Sequence, residues 1–218
     1  MTPRGQLTVD YGITSAQESD EMLMVRLMDG DRAAFDALFE RYAGRLRSFV
    51  YRFVGDREVA EDLAQEVFVT VFKAIDGFRG DSKLSTWIYR VASNHSKNRI
   101  KYLVRRARNA KRPLDEISDR DALESGTMAT SATVARPDEM AHAKQTESMI
   151  QRALGDLDEE HRELIVLRDI QDLRYDEIQR VTGLAEGTVK SRLHRARLAL
   201  QRRVAELQAG GSVKEGSS

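Results

Sequence analysis

The chain has 218 residues, no cysteine, and 35 basic residues balanced by 35 acidic ones. That length suffices for two modest domains, each with its own core, and the lack of cysteine excludes disulfides and thiolate chemistry. Acid dominates residues 18–66 and 155–178 while the charged residues of 95–112 are all basic, a segregation that points to a protein meeting both nucleic acid and a protein partner, not a generic polyanion binder.

The N-terminal tail, residues 1–19, lacks the apolar core of a signal peptide and is expected to be disordered. No stretch approaches the roughly 20 apolar residues that span a bilayer, so a soluble, cytoplasmic protein without membrane insertion is expected. A first helix is predicted over Asp20–Met28, with Met22, Val25 and Leu27 among its apolar positions. Gly30 ends it, and Asp31 is placed to cap the next. In that second helix Phe35, Leu38, Phe39, Tyr42, Leu46, Phe49, Val50 and Phe53 recur at three and four. Gly55 stops it and Asp56 is the next cap. The third helix carries a stripe of Ala60, Leu63, Val67, Val71 and Ile75, with Phe68 and Phe72 beside it. A polar loop from Asp76 to Ser85 follows. A fourth helix is predicted from near Thr86, burying Trp87, Ile88, Val91 and Ala92 and running into the basic block that ends at Arg112.

Residues 111–139 break the pattern. Pro113 and Pro137 bracket a stretch rich in Ser, Thr, Ala, Asp and Glu with no helical stripe, which reads as a flexible linker. A second domain, 140–207, is predicted to begin near Glu139, followed by a disordered tail over 208–218. Met149, Ile150, Ala153 and Leu154 line one helix ending at Gly155, and Leu164, Ile165 and Leu167 line the next. From Tyr175 two amphipathic helices flank a tight turn at Gly183, a residue free to take positive φ. Ile178 and Val181 precede the turn; Leu184, Val189, Leu193 and Ala196 follow it. The outward side of the second helix holds Thr188, Lys190, Ser191, Arg192, His194, Arg195 and Arg197, residue types that reach phosphates and base edges. A basic helix over an apolar seam after a turn with glycine is what a helix-turn-helix reader of the major groove requires. A hairpin with a merely solvated basic face is the plainer alternative, but it gives those side chains no task.

Two further constellations stand out. Asp62, Gln65, Glu66 and Val69 share one face of the third helix, away from its apolar stripe. Such a face is solvated by default, yet an acid-and-amide patch flanked by Val69 and Phe72 suits a basic protein helix. In the loop and fourth helix, Phe78, Trp87 and Tyr89 lie near Arg79, Lys83, Arg90, Asn94, Lys97, Asn98 and Arg99. Aromatics beside cations and amides suit single-stranded DNA. Trp87 falls on the buried stripe, so a core role is expected of it, while the Asn94 and Asn98 amides are better placed to read bases.

Enzymatic readings fare poorly: no catalytic residue, metal site or cofactor is assigned. His95, His142, His161 and His194 are scattered without metal-ligand spacing, and no phosphate-cradling glycine loop is present.

The order DLAQEVF, then FRGDSKLSTWIYRVASN, then a linker, then YDEI and TGLAEGTVKSRLHRAR resembles bacterial sigma-70-family factors of the extracytoplasmic-function group over roughly 20–110 and 140–205. The resemblance implies an all-α protein of two small domains: a sigma-2 helical bundle at 20–110, and a sigma-4 helix-turn-helix bundle at 140–207, with the linker threading toward the polymerase's RNA exit path. It implies an alternative sigma factor whose partners are core RNA polymerase (clamp helices of the largest subunit, flap of the second), promoter DNA and an anti-sigma factor. By the same resemblance polymerase binding goes to Asp62, Leu63, Gln65, Glu66, Val69 and Phe72. The separated −10 strand goes to Phe78, Arg79, Lys83, Arg90, Asn94, Lys97, Asn98 and Arg99. Reading of the −35 duplex goes to Glu186, Thr188, Lys190, Ser191, Arg192, Arg195 and Arg197 of the helix-turn-helix spanning Tyr175 to His194. The chain departs from the family pattern at Arg174 and Ala185, neither of which offers the capping oxygen usual before its helix. A stand-alone helix-turn-helix regulator is the alternative, and it leaves the DLAQEVF face and the strand-binding helix without a task.

Overall fold

The computed structural model describes residues 18–110 and 137–212. Eight α-helices make two packed units: α1 (Asp20–Met28), α2 (Arg32–Val54), α3 (Arg57–Lys73) and α4 (Leu84–Ala110), then α5 (Pro137–Gly155), α6 (Glu159–Ile165), α7 (Tyr175–Thr182) and α8 (Glu186–Ser212). The linker expected over 111–139 lies outside the described residues as far as 136, and from Pro137 the chain is already helical. Helix α8 likewise continues to Ser212, past the tail boundary expected at 207.

The first unit is punctuated by the expected caps. Ser19 accepts the Met22 N–H at 3.3 Å, Asp31 the Ala33 N–H at 2.9 Å and Asp56 the Val59 N–H at 2.9 Å. Gly55 closes α2 at φ +79°, where a Cβ would be strained. Leu38, Tyr42, Leu46, Phe49, Val50 and Phe53 of α2 pack on Ala60, Leu63, Ala64, Val67 and Val71 of α3, each large side chain contributing about 1.5–3 kcal/mol by leaving water.

The structure redraws three faces. In α1 the buried pair is Leu23 and Met24, and Met22 and Val25 are exposed; this short helix is apolar on several sides, so its neighbour α2 selects the buried one. Phe39 also leaves the core, and Phe72, read as lying beside the stripe and flanking the acidic patch, is half exposed. They pack on half-buried Phe35 and buried Phe68 at the edge of the core, with Phe35–Phe72 edge to face at 4.8 Å and Phe39–Phe68 at 4.7 Å. In α4, Ile88 and Ala92 are buried as expected, but Trp87 and Val91 are only half-buried. Tyr89, Ser93 and Ser96 are buried instead. Helix α4 is covered from two sides, by α2 and α3 and by the second unit, and the second cover is invisible to a single-stripe reading.

The second unit is tied by Arg162, whose guanidinium donates to four carbonyls: Leu154 at 2.9 Å, Gly155 at 2.7 Å, Leu157 at 3.0 Å and Phe53 of the first unit at 2.6 Å. After α6 the backbone widens into a π-turn, with the Gln171 N–H reaching the Val166 carbonyl at 3.0 Å. Asp172, at φ +54°, then turns the chain toward α7. The two units share one apolar core, extended by polar bonds between them: Arg52 to Gln151 at 3.1 Å and the Tyr89 hydroxyl to Gln171 at 2.5 Å.

Candidate nucleic-acid interface

The helix-turn-helix forms as its sequence requires. Gly183 adopts φ +75° and closes α7, and Ile178, Val181, Val189, Leu193 and Ala196 are buried beneath α8, with Leu184 partly so. Arg174 contributes no capping side chain. Its own N–H is instead taken by the Glu177 carboxylate at 2.8 Å, half of a capping box that offsets the missing oxygen. Glu186, Lys190, Ser191, Arg195 and Arg197 are exposed on α8, and Thr188 and Arg192 partly so. These cations already hold acids: Lys190–Glu186 at 2.5 Å, Arg197–Asp169 at 2.5 Å, and Arg192 with Glu160. Hydrogen bonding to Glu186 raises the Lys190 pKa, so its charge is secure at neutral pH. An incoming phosphate must therefore exchange with a carboxylate at each of these side chains.

On α3, Asp62, Gln65, Glu66 and Val69 line one shallow depression with Thr70 and His95 of α4. Val69 and Phe72 are 52% and 48% exposed, which leaves apolar surface beside the acid-and-amide patch. Leu63 does not belong to this face. It is 4% exposed and packs in the core at the opposite side of the helix, so no partner can touch it and its assignment is corrected.

The strand-binding set divides. Arg79, Arg90, Asn94 and Asn98 are exposed, and Asn94 and Asn98 stand one turn apart on the open face of α4. Phe78 stacks at 5.3 Å on Trp87, which borders a hollow lined by Asp81, Ser82, Thr86, Arg90 and Arg180. Tyr89 is buried against Phe49 at 5.2 Å, and burial pushes its hydroxyl up to about 12; it offers no ring to a base. Arg99 lies 5.7 Å over the Tyr102 ring. Lys83 and Lys97 are paired with acids of the second unit, Glu177 at 2.8 Å and Glu163 at 2.7 Å. Burial raises the Glu177 carboxyl, but the hydrogen bonds from Lys83 and the Arg174 N–H outweigh it and hold the group below its ordinary value.

Glu163, Ser93 and Arg180 are participants that the sequence reading passed over. A signal existed for Glu163: it shares a helical face with Leu167, and an acid on a buried face demands a buried partner. Among the described residues no group of three or more His, Asp and Glu side chains could hold a metal ion, and no helix is long and apolar enough to cross a membrane.

Comparison with known proteins fits this geometry. The family described as Sigma-70 region 2 matches residues 38–109, and Sigma-70, region 4 matches 147–200. The chain is 36% identical to the ECF RNA polymerase sigma-E factor of Escherichia coli (strain K12) over 196 residues, covering 88% of this chain and 98% of that protein. It is 34% identical to the RNA polymerase sigma-H factor of Pseudomonas aeruginosa over 186 residues, covering 85% and 94%. The fold resembles that of CnrH solved with the cytosolic domain of CnrY, with a TM-score of 0.60 at 23% identity, over 88% of this chain and 99% of that one. It also resembles the sigma factor RpoE solved with the anti-sigma factor NepR from Bartonella quintana, with a TM-score of 0.58 at 22% identity, over 78% and 96%.

Proposed function

Because this chain belongs to the sigma-70 family of RNA polymerase sigma factors, in its extracytoplasmic-function group, we propose that its two helical units divide promoter recognition between them. As an alternative sigma factor it binds core RNA polymerase and directs initiation to particular promoters. The first unit, 20–110, docks the polymerase clamp helices through Asp62, Gln65, Glu66, Val69 and Phe72. It holds the separated −10 strand with Arg79, Arg90, Asn94 and Asn98, whose amides suit base edges, and with Lys83, Lys97 and Arg99 along the backbone. The second unit, 140–207, docks the flap and lays α8 in the major groove, where Thr188, Lys190, Ser191, Arg192, Arg195 and Arg197 read and grip the −35 duplex. Residues 111–139 bridge the two on the polymerase. The protein works in the cytoplasm, contributes no catalytic residue of its own, and is restrained by an anti-sigma partner.

The observation that carries this reading is the exposed Asp62, Gln65 and Glu66 face on the same chain as a well-formed helix-turn-helix. A stand-alone DNA reader has no use for that face. Replacing all three residues by Ala is expected to abolish capture of core polymerase while far-UV circular dichroism stays unchanged, since each projects away from the core. Full capture by the triple variant would remove the assignment.

A further inference from the structure

The hollow beside Trp87 is built by three segments, one of them remote in sequence from the others. Asp81 and Ser82 come from the loop before α4, Thr86, Trp87 and Arg90 from the first turns of that helix, and Arg180 from α7 of the second unit. The space they surround measures about 180 Å³.

Its polar groups are donors with little to hold. Lys83 and Lys97 nearby are paired with Glu177 and Glu163, but Arg90 and Arg180 are exposed, and among the described residues neither is paired with a carboxylate. Arg180 donates one bond, to the Asp81 carbonyl at 3.0 Å. The Ser82 hydroxyl donates only a long bond of 3.3 Å to the Lys83 carbonyl. Thr86 is 2% exposed and its hydroxyl oxygen has no hydrogen-bond partner, a state that buried polar groups seldom keep; a helical threonine has two χ1 rotamers open to it, so this hydroxyl can turn to meet a ligand. Helix α4 also starts here. The Trp87 N–H reaches the Lys83 carbonyl at 3.2 Å, and the N–H groups ahead of it have no acceptor within the helix, which places the positive end of the helix dipole beside the two guanidiniums.

We propose that this hollow is a site for a small phosphate dianion, either inorganic phosphate or the terminal phosphate of a free nucleotide, gripped between Arg90 and Arg180. Two guanidiniums match a doubly charged oxyanion, which their planar forks bind through paired hydrogen bonds. Asp81 adds one exposed carboxylate, so the hollow keeps a net positive charge. A phosphodiester in a strand has only one charge and two esterified oxygens, and fits the pair less well. The site goes beyond promoter recognition, because Arg180 belongs to neither DNA-binding set. A dianion bound there joins the start of α4 to α7 and stabilises the folded chain by mass action.

Trp87 is the only tryptophan of the chain, so its emission reads this hollow directly. Titration of the full chain with sodium phosphate, chloride holding the ionic strength constant, should change that emission saturably and raise the thermal midpoint. Arg90→Gln and Arg180→Gln should each weaken binding at least about tenfold, the loss expected of one charged donor. Arg202→Gln, an exposed cation on the outer part of α8, should change it by less than about twofold. Dimethyl phosphate, with the single charge of a strand phosphate, should bind at least about tenfold more weakly than phosphate. Adenosine monophosphate separates the two sources: tighter binding than phosphate assigns a nucleotide whose base reaches the indole, equal or weaker binding assigns free phosphate, and both support the site. Emission that does not saturate in the wild type overturns the proposal. So does undiminished phosphate binding by Arg180→Gln, or dimethyl phosphate bound as tightly as phosphate. No promoter DNA enters these measurements, so each of those failures leaves the division of promoter recognition standing.

Discussion

Arg162→Met removes the guanidinium that ties α5, the turn after it and the end of α2 together. Burial pulls the Arg162 pKa below its free value, with Glu159, Asp158 and Asp156 pulling the other way, and the group remains charged at neutral pH. Bonds from a charged donor contribute about 1.5–3 kcal/mol each. The Gly155 carbonyl lies at the surface and rehydrates on truncation, whereas those of Leu154, Leu157 and Phe53 are partly buried. The three remaining bonds share one donor group and are not additive, so the loss is about 3–5 kcal/mol, the cost of leaving three partly buried carbonyls without a donor. In a unit of this size each kcal/mol moves the midpoint by about 4–8 °C, which places the shift above about 12 °C. Arg162→Lys keeps the charge but has one compact donor that cannot span four carbonyls, so it should recover only a small part. Calorimetry of the full chain measures both. A loss below about 4 °C for Arg162→Met, or full recovery by Lys, would refute the claim that this one side chain organises the junction.

Binding of a −35 duplex should weaken with salt, log affinity falling by about 0.9 per log salt for each phosphate neutralised; a flat response in a salt titration would take α8 off the DNA. Asn94→Ala and Asn98→Ala should each weaken −10 recognition by about 1–3 kcal/mol on duplex and pre-melted templates, while Arg192→Ala should spare pre-melted ones. Equal losses for both classes in transcription from the two templates would contradict the division between units. Glu177→Gln should lower the thermal midpoint near neutral pH. The folded carboxyl sits below its unfolded value of about 4.3, so its contribution is full above that value and vanishes as pH falls through the folded pKa. A wild-type-minus-variant difference that persists in strong acid would show that the Lys83–Glu177 pair is not the cause.

Where caps and one apolar stripe decide the structure, the sequence was sufficient. Asp31, Asp56, Gly55 and Gly183 mark helix ends in the positions expected, and the helix-turn-helix seam is buried at Ile178, Val181, Val189, Leu193 and Ala196 as its spacing demands. Local pattern failed where a second neighbour intervenes. Tyr89 resembles an exposed aromatic until α2 and the turn before α7 close over it, and Lys83 and Lys97 look solvated until Glu177 and Glu163 arrive from more than sixty positions away. Leu63 shows a different failure: its spacing already put it on the buried stripe, where it lies, and only the contiguous motif of the resemblance carried it onto the list expected to bind polymerase. Phe39 errs in the other direction. It keeps the spacing of a core residue, yet lies at the edge of the α2–α3 contact, where the stripe is wider than the surface available to cover it.

The central claim is that this chain confers promoter selection on a polymerase that lacks it. Core RNA polymerase freed of sigma factors, incubated with a fragmented bacterial genome with and without the protein, followed by sequencing of transcript 5′ ends, measures that directly. The account predicts starts that appear only with the protein and share two spaced upstream elements, and that disappear when Asp62, Gln65 and Glu66 are replaced by Ala. Starts that are the same with and without the protein, while it still binds duplex DNA, would contradict it and leave a regulator that reads DNA without recruiting polymerase.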